Sequence, residues 1–393
     1  MSTIDYYEVK PTTPISKFKQ PASDETFAID DVAPVVGLSV PFIRRVVGPK
    51  GRLVTEDVVK LIEQDSFAET FVPRSRVVEY LLGRQSSGER VGDVSCESNT
   101  IIQGDAVNLI RGLRDKSVQC VVTSTPYWAM RVYDEMTNTA WADGECCPFG
   151  LEQTPEGFIR HSVEVLYLLR QKITVSGSVW WDIMDTFNTR TQIRSSAVEA
   201  LRAMQGKDVL KWSEHPFRRY SAGHSYLKDG EQCLIPFRIA ERASRIGYFV
   251  KSIISWCKSS SLPEPQLSRV SRNVEYVLHL TVSRTPKFKK DAYLSIDATL
   301  GGRQSFESEK LSDFWYLPTS AGRDGHGAQF PIQLPGRCIA LSTDLKDLVL
   351  DPFAGAGTSL VAAKRLNRKF IGFDLSNGYV ELARKHLKQE SEA

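Results

Sequence analysis

Long apolar runs are missing from this 393-residue chain. Nothing in it approaches the roughly 18 consecutive apolar residues that a membrane-spanning helix needs. The opening residues, MSTIDYYEVK, also lack the basic start and apolar core of an export signal. The expectation is a protein that stays in the cytoplasm. Cysteine is sparse and unpatterned, with seven residues at 96, 120, 146, 147, 233, 257 and 338. An odd number with no Cys-x-x-Cys pair indicates neither a disulfide framework nor a zinc ribbon, and no metal site is expected. A dominant charge is absent as well: 50 Lys and Arg face 47 Asp and Glu, for a net charge of +3. Any surface for a polyanion must therefore be local. There is no internal repeat.

The most legible stretch is LVLDPFAGAGTSLVAAKRLNRKFIGFDL, residues 348–375. Residues 348–350 read as a buried strand, 351–358 as a glycine-rich turn, 359–366 as a helix and 370–373 as a second strand closing on Asp374. Gly355 and Gly357 let the main chain approach a ligand, and the helix after them aims unpaired N–H groups at the same place. Asp374 follows Gly355 by 19 residues. That is close to the ~20-residue spacing at which an acid meets ribose hydroxyls in dinucleotide-binding folds. A nucleoside-containing ligand fits this pattern, and an ordinary α/β turn is the alternative on these residues alone. The missing Gly-Lys-Ser/Thr argues against a phosphate-cradling P-loop. One βαβ unit cannot bury its own sheet, and a single helix at 378–387 follows it. The loop that comes last in sequence must be central in space.

Along the chain, residues 1–26 are polar and proline-containing and read as a flexible arm. Residues 27–90 read as a small helical domain. Within it, 29–46 have the outline of a helix-turn-helix, with a turn at Gly37, a cap at Ser39 and Arg44 and Arg45 on the second helix. DNA contact through those arginines is one reading, and packing of a helical subdomain on the main body is the other. The polar, Gly/Ser-containing stretch 84–98 is the expected linker. A large domain, 99–393, begins with a strand ending at Gly104-Asp105, a helix at 107–113 and the continuous apolar strand VQCVVT at 118–123. A polar loop at 131–149, a helix at 155–172, a strand at 178–182, a helix at 234–246 and strands at 249–256 and 274–282 follow. Two basic, loop-like segments stand out as insertions. One is 186–230, with Arg218 and Arg219; the other is 283–312, with Lys287, Lys289 and Lys290. They suggest a polyanion partner, with solvated loops as the bland alternative.

The strand at 118–123 runs into Ser124-Thr125-Pro126-Tyr127-Trp128. Here the chain resembles the amino-group DNA methyltransferases of the β group, whose catalytic motif is (Ser/Asp/Asn)-Pro-Pro-(Tyr/Phe). The resemblance extends in order through Gly104-Asp105, Gly150-Leu151-Glu152-Gln153-Thr154-Pro155, Ile254-Ser255-Trp256-Cys257-Lys258, His326-Gly327-Ala328-Gln329-Phe330-Pro331 and Asp351-Pro352-Phe353-Ala354-Gly355-Ala356-Gly357-Thr358, covering residues 99–388. It implies a Rossmann-like α/β sheet dependent on S-adenosylmethionine, with the catalytic motif before the cofactor motif. The resemblance also implies a bacterial cytoplasmic enzyme that acts on double-stranded DNA, often beside a companion restriction endonuclease.

By this resemblance Asp105, Phe330, Asp351, Phe353, Gly355, Gly357, Thr358 and Asp374 hold the cofactor, and Ser124, Thr125, Pro126 and Tyr127 act on the base. An exocyclic amino nitrogen is a poor nucleophile because its lone pair is delocalised into the ring. Acceptors at Ser124 Oγ and the Thr125 carbonyl would favour a pyramidal nitrogen with its lone pair facing the methyl donor. Tyr127 would stack on a base rotated out of the duplex. No cysteine follows a proline, so the Pro-Cys motif of cytosine-C5 enzymes is absent and no covalent intermediate is implied. Thr125 departs from the family's first proline and gives up its fixed φ. Ser124, Trp128 and Phe330-Pro331 lean toward cytosine N4. Adenine N6, a non-catalytic DNA-binding regulator and an RNA-modifying enzyme are the rival readings.

Overall fold

The computed structural model describes residues 25–86, 98–130, 135–188, 227–259, 267–319 and 330–392. The arm expected at 1–26 lies almost entirely outside them, as do Arg218, Arg219 and the run from His326 to Gln329.

The polypeptide is organised by an eight-stranded sheet. In chain order its strands are β3 (Thr100–Gln103), β4 (Val118–Ser124), β7 (Ile173–Ile183), β8 (Phe249–Lys258), β9 (Val274–Thr281), β10 (Phe314–Leu317), β11 (Leu348–Asp351) and β12 (Lys369–Asp374). They lie side by side as β10-β8-β9-β7-β4-β11-β12-β3. β9 pairs antiparallel with both β7 and β8, and the other neighbours are parallel. β11 sits between β4 and β12, so the late cofactor-type loop is central, as expected. All of β4 before Ser124 is buried, which explains its unbroken apolar reading.

Helices flank the sheet. The longest on its first face, Pro155–Lys172, starts where the Thr154 hydroxyl accepts the Gly157 N–H at 3.0 Å and Pro155 takes the first turn. Phe158, Ile159, Val163, Leu166 and Leu169 then bury one side of it. On the other face lies Gln333–Ser342, a helix that the sequence reading did not place because Pro335 and Gly336 interrupt its pattern. Gly336 is there for close approach: a Cβ on it would lie 2.1 Å from the Leu300 carbonyl oxygen. The wholly buried Arg337 beside it donates to the Gly301 and Gly302 carbonyls and pairs with Glu307.

Residues 25–86 form helices Ile29–Val36, Val40–Val47, Thr55–Ile62 and Val77–Ser86, with a two-stranded ribbon of β1 (Thr26–Ala28) and β2 (Arg52–Val54). Gly37 ends the first helix at φ +66°, and Ser39 caps the second. This layer shares one continuous hydrophobic core with the large domain. Phe71 stacks on Tyr167 at 4.8 Å, and Arg76 and Arg242 donate across the junction to the Asp143 and Thr70 carbonyls. Within the polar loop, β5 (Thr139–Ala140) and β6 (Cys146–Cys147) make a short ribbon. Among the described residues no helix is long and apolar enough to cross a membrane.

Candidate active site

Two loops leave the C-terminal ends of adjacent strands, where parallel α/β sheets bind their ligands. Ser124 ends β4 and Asp351 ends β11; the strands are in register at Val121 and Leu350. Residues more than two hundred positions apart in sequence are thereby brought together.

On the β11 side, Asp351 is buried. Its Oδ1 accepts from Thr123 Oγ1 at 2.7 Å and from the Phe353 N–H at 3.0 Å, and its Oδ2 accepts from Ser359 Oγ. Burial pushes this carboxyl up to about 6 against the pull of those hydrogen bonds. Asp351 is spent on its own chain and shapes the loop. Gly355 (φ +50°) and Gly357 (φ +80°) both take the left-handed backbone conformation. A Cβ on Gly355 would meet nothing within 4 Å, so that face is open, whereas one on Gly357 would strike Ala383 at 2.8 Å. Thr358 starts the helix Thr358–Arg365 that follows.

Asp374, at the end of β12, accepts the Gly355 N–H at 2.8 Å and the Ser376 N–H at 2.9 Å. It is half-buried, and burial raises its pKa. Asp105 stands at the end of neighbouring β3, capping Asn108 N at 2.9 Å and accepting from Thr139 Oγ1 at 3.0 Å. Phe353 stacks on Phe149 at 5.4 Å, and Phe330 is half-buried against the core cluster that contains Ala354 and Leu360. An open glycine face, a helix start, a carboxylate at a strand end and aromatic walls suit an amino acid joined to a nucleoside. The donor set therefore fits S-adenosylmethionine.

On the β4 side, Ser124, Pro126 and Tyr127 are half-buried, and Thr125 and Trp128 are buried. The Gly150–Glu152 stretch braces this loop. The Ala129 N–H donates to the Gly150 carbonyl at 2.8 Å, Trp128 Nε1 donates to the Glu152 carbonyl at 3.0 Å, and a Cβ on Gly150 would come 3.1 Å from Pro126 Cβ. That packing supplies rigidity which Thr125, lacking a proline ring, does not.

Sequence reasoning did not single out Asp182 and Glu275, and it quoted Lys258 only as part of a motif. Tyr127 turns its hydroxyl inward, 2.6 Å from Glu275 Oε2, 3.2 Å from Asp182 Oδ2 and 3.3 Å from Ser124 Oγ. Glu275 pairs in turn with Lys258 Nζ at 2.8 Å. Burial, and then the neighbouring Glu275 charge, push Asp182 well above the usual carboxyl range. Burial likewise raises Tyr127, with Asp182 and Glu275 adding to the effect. The available signal was the polar residue closing or opening each strand, Asp182 in WWD and Glu275 in VEYVLHL.

Next to this loop Glu145, Cys147 and His161 each offer a ligand atom, all within 4.8 Å of one another. Both ring nitrogens of His161 are already held, Nδ1 by Glu152 at 3.0 Å and Nε2 by Asp143 at 3.2 Å, and its ring stacks on Trp141 at 4.1 Å. Burial opposes charge on this ring, but the two carboxylates overcome it and lift the pKa to about 9. The group there is an imidazolium clamped between acids.

The expected DNA contacts divide. Arg44 and Arg45 are exposed on the helix Val40–Val47. Lys287 and Lys289, by contrast, are paired with acids. Lys287 Nζ lies 2.6 Å from both Asp344 and Asp347, Lys289 pairs with Asp344, and their backbone N–H groups donate to Ser176 and Leu341. Asp344 and Asp347 precede β11, so these lysines sit at the amino-terminal ends of the central strands, opposite the ends that carry Ser124 and Asp351. Lys290 follows them there, exposed. The segment is also less loop-like than expected, with a helical turn at Ala292–Ser295 and a 3₁₀ turn at Ala298–Leu300.

Comparison with known proteins agrees with this geometry. A family model described as DNA methylase matches residues 118–385. The Type II methyltransferase M.Cfr9I of Citrobacter freundii is 29% identical over 296 residues, 74% of this chain and 88% of that protein. M.SmaI of Serratia marcescens is 26% identical over 289 residues, 73% and 90% of the two. Among solved structures, the PvuII DNA methyltransferase (cytosine-N4-specific) superposes with a TM-score of 0.52 at 18% identity, covering 75% of this chain and 91% of that one. The chain belongs to the N6/N4 family of DNA methylases.

Proposed function

We propose that this DNA methyltransferase acts at a specific site in duplex DNA and methylates the exocyclic N4 amino group of cytosine. The observation that carries the reading is the position of Ser124, a neutral acceptor at the end of β4, directly beside the glycine loop on β11. S-adenosylmethionine is the cofactor and supplies an electrophilic methyl group. Gly355, Gly357 and Thr358 would meet its amino-acid part, Asp374 its ribose, and Asp105, Phe353 and Phe330 its base.

Ser124 Oγ and the Thr125 carbonyl accept from the two amino hydrogens, so the nitrogen lone pair is freed from the ring. Tyr127, pinned by its hydroxyl, offers its ring to a base turned out of the duplex. Pro126, held against Gly150, fixes the loop between them. Cytosine is favoured by the Ser-Thr-Pro-Tyr-Trp motif; the PvuII enzyme with this fold is itself cytosine-N4-specific. Arg44 and Arg45 would contact phosphates. A companion endonuclease is the expected functional context, since M.Cfr9I and M.SmaI are Type II methyltransferases.

The deciding experiment is nucleoside mass spectrometry of mixed-sequence duplex DNA incubated with the protein and methyl-labelled S-adenosylmethionine. Labelled N4-methylcytosine is the expected product. N6-methyladenine would overturn the base, and label in RNA but not in duplex DNA would overturn the substrate.

A further inference from the structure

A methylated amino nitrogen must shed a proton, and the buried polar chain behind Ser124 offers a route for it. We propose that this proton leaves through Ser124 and Tyr127 to Glu275, in a relay that ends at the Lys258 ion pair. The inference rests on the amino-methyltransferase reading and concerns a step which that reading leaves open.

The atoms balance as follows. As the nitrogen lone pair forms its bond to the methyl carbon, the bond from that carbon to the donor's sulfonium sulfur would break, its electron pair staying on sulfur to leave neutral S-adenosylhomocysteine, and the positive charge passes to the nitrogen. Its proton passes to Ser124 Oγ, the Ser124 hydroxyl proton passes to Tyr127 Oη, and the Tyr127 proton passes to the Glu275 carboxylate. No oxidant or further reactant is needed. Each hydroxyl ends the step with the one proton it began with, and Glu275 ends as a neutral acid.

Three observations favour this path. The Tyr127 hydroxyl has one hydrogen to give, and the 2.6 Å contact to Glu275 is shorter than the 3.2 Å contact to Asp182. Tyr127 Oη is thereby left as acceptor for Ser124 Oγ at 3.3 Å. Second, Glu275 is the carboxylate with a cation against it, Lys258 at 2.8 Å. Asp182, on the next strand, has its Oδ1 buried without a partner among the described residues, and burial disfavours its charged form. Third, base stacking needs no hydroxyl, since a phenylalanine ring presents the same face. The tyrosine oxygen and its buried partners need another reason to be there. The groups facing Glu275 are thus Tyr127 from the β4 loop, Asp182 from β7 and Lys258 from β8. Glu275 acts through Tyr127 and does not touch the base.

The test compares the full-length wild type with Tyr127→Phe, Glu275→Gln and Glu275→Asp. The measurements are single-turnover methyl transfer to duplex DNA in mixtures of light and heavy water, and S-adenosylmethionine affinity by calorimetry. Tyr127→Phe and Glu275→Gln are expected to slow transfer about 100-fold, the usual scale for lost proton transfer, while cofactor affinity stays within about threefold. The dependence on deuterium fraction, curved in the wild type because several protons move together, becomes linear in both. Glu275→Asp recovers part of the rate. In the protein alone, the infrared C–O band assigned to Tyr127 by difference from Tyr127→Phe shifts in Glu275→Gln. A purely structural role would alter melting temperature and leave the isotope dependence as it was. Transfer rates within about threefold of wild type in both variants, or an unchanged deuterium dependence, would overturn the relay. If the wild type makes N6-methyladenine, the base assignment fails while the relay is measured on that amine instead.

Discussion

Thr123 Oγ1 donates a 2.7 Å hydrogen bond to Asp351 Oδ1, joining the residue before the catalytic loop to the acid that opens the cofactor loop. Both side chains are buried, so the bond is worth more than an exposed one, and losing it leaves a carboxylate short of a donor. Thr123→Val keeps the shape and removes the hydroxyl. The expected cost is about 1.5–3 kcal/mol of stability, with Thr123→Ser restoring most of it. Urea unfolding of the three proteins checks this, and equal midpoints for Val and Thr would show that the two loops are coupled by packing alone.

Ser124→Ala separates chemistry from binding. Ser124 contacts Tyr127 and makes no hydrogen bond to the glycine loop among the described residues. Turnover should fall on the order of 100-fold or more, with S-adenosylmethionine affinity nearly unchanged. Parallel losses in rate and affinity would remove Ser124 from the role of amino acceptor.

Asp374→Ala should have the reverse effect. The Gly355 N–H loses its carboxylate acceptor, and the ribose partner goes with it. A hydrogen bond to a charged group is worth about 1.5–3 kcal/mol, so calorimetric affinity for S-adenosylmethionine should drop by roughly 10- to 100-fold. Unchanged affinity would mean that the cofactor lies elsewhere.

His161 sets a dependence on pH. Its folded pKa, about 9, is raised above the ordinary histidine value of 6.5. The stabilisation is therefore fully present below pH 6.5 and lost as pH rises through about 9. At most about 3 kcal/mol is involved. The melting temperature of the wild type should fall across that interval relative to His161→Gln, which cannot titrate. Parallel curves would show that the ring is neutral at its seat between Asp143 and Glu152.

Much of this architecture was legible in the sequence. The strand 118–124 is apolar on both faces because helices cover both, and the helix Pro155–Lys172 announces itself by Thr154 and Pro155 at its start. The glycine loop was readable because a positive φ at 355 and 357 demands that residue. Asp182 and Glu275 were not, since they reach Tyr127 from 55 and 148 residues away and each looks alone like a polar residue near a strand end. The helix Gln333–Ser342 was hidden because its Pro335 and Gly336 serve tertiary packing at the expense of local helix propensity. The pairing of Lys287 and Lys289 with Asp344 and Asp347 was hidden for a related reason. A charge run in sequence does not show which of its members are already paired.

That distinction can be measured. Each phosphate contact steepens the fall of DNA affinity with salt by about 0.9 in a plot of log K against log salt concentration. Arg44 and Arg45 are exposed on their helix, and replacing both by alanine should flatten the slope by about 1.8 if both reach phosphates. Lys287 and Lys289 are paired with Asp344 and Asp347 at the amino-terminal ends of the strands, and the matching double alanine variant should leave the slope unchanged. It should cost stability instead, because Asp344 and Asp347 lose their partners. An unchanged slope for the arginine variant would assign the N-terminal helices to packing on the large domain. A flattened slope for the lysine variant would place DNA at the amino-terminal ends of the strands, away from Ser124, in conflict with the site assembled on β4 and β11.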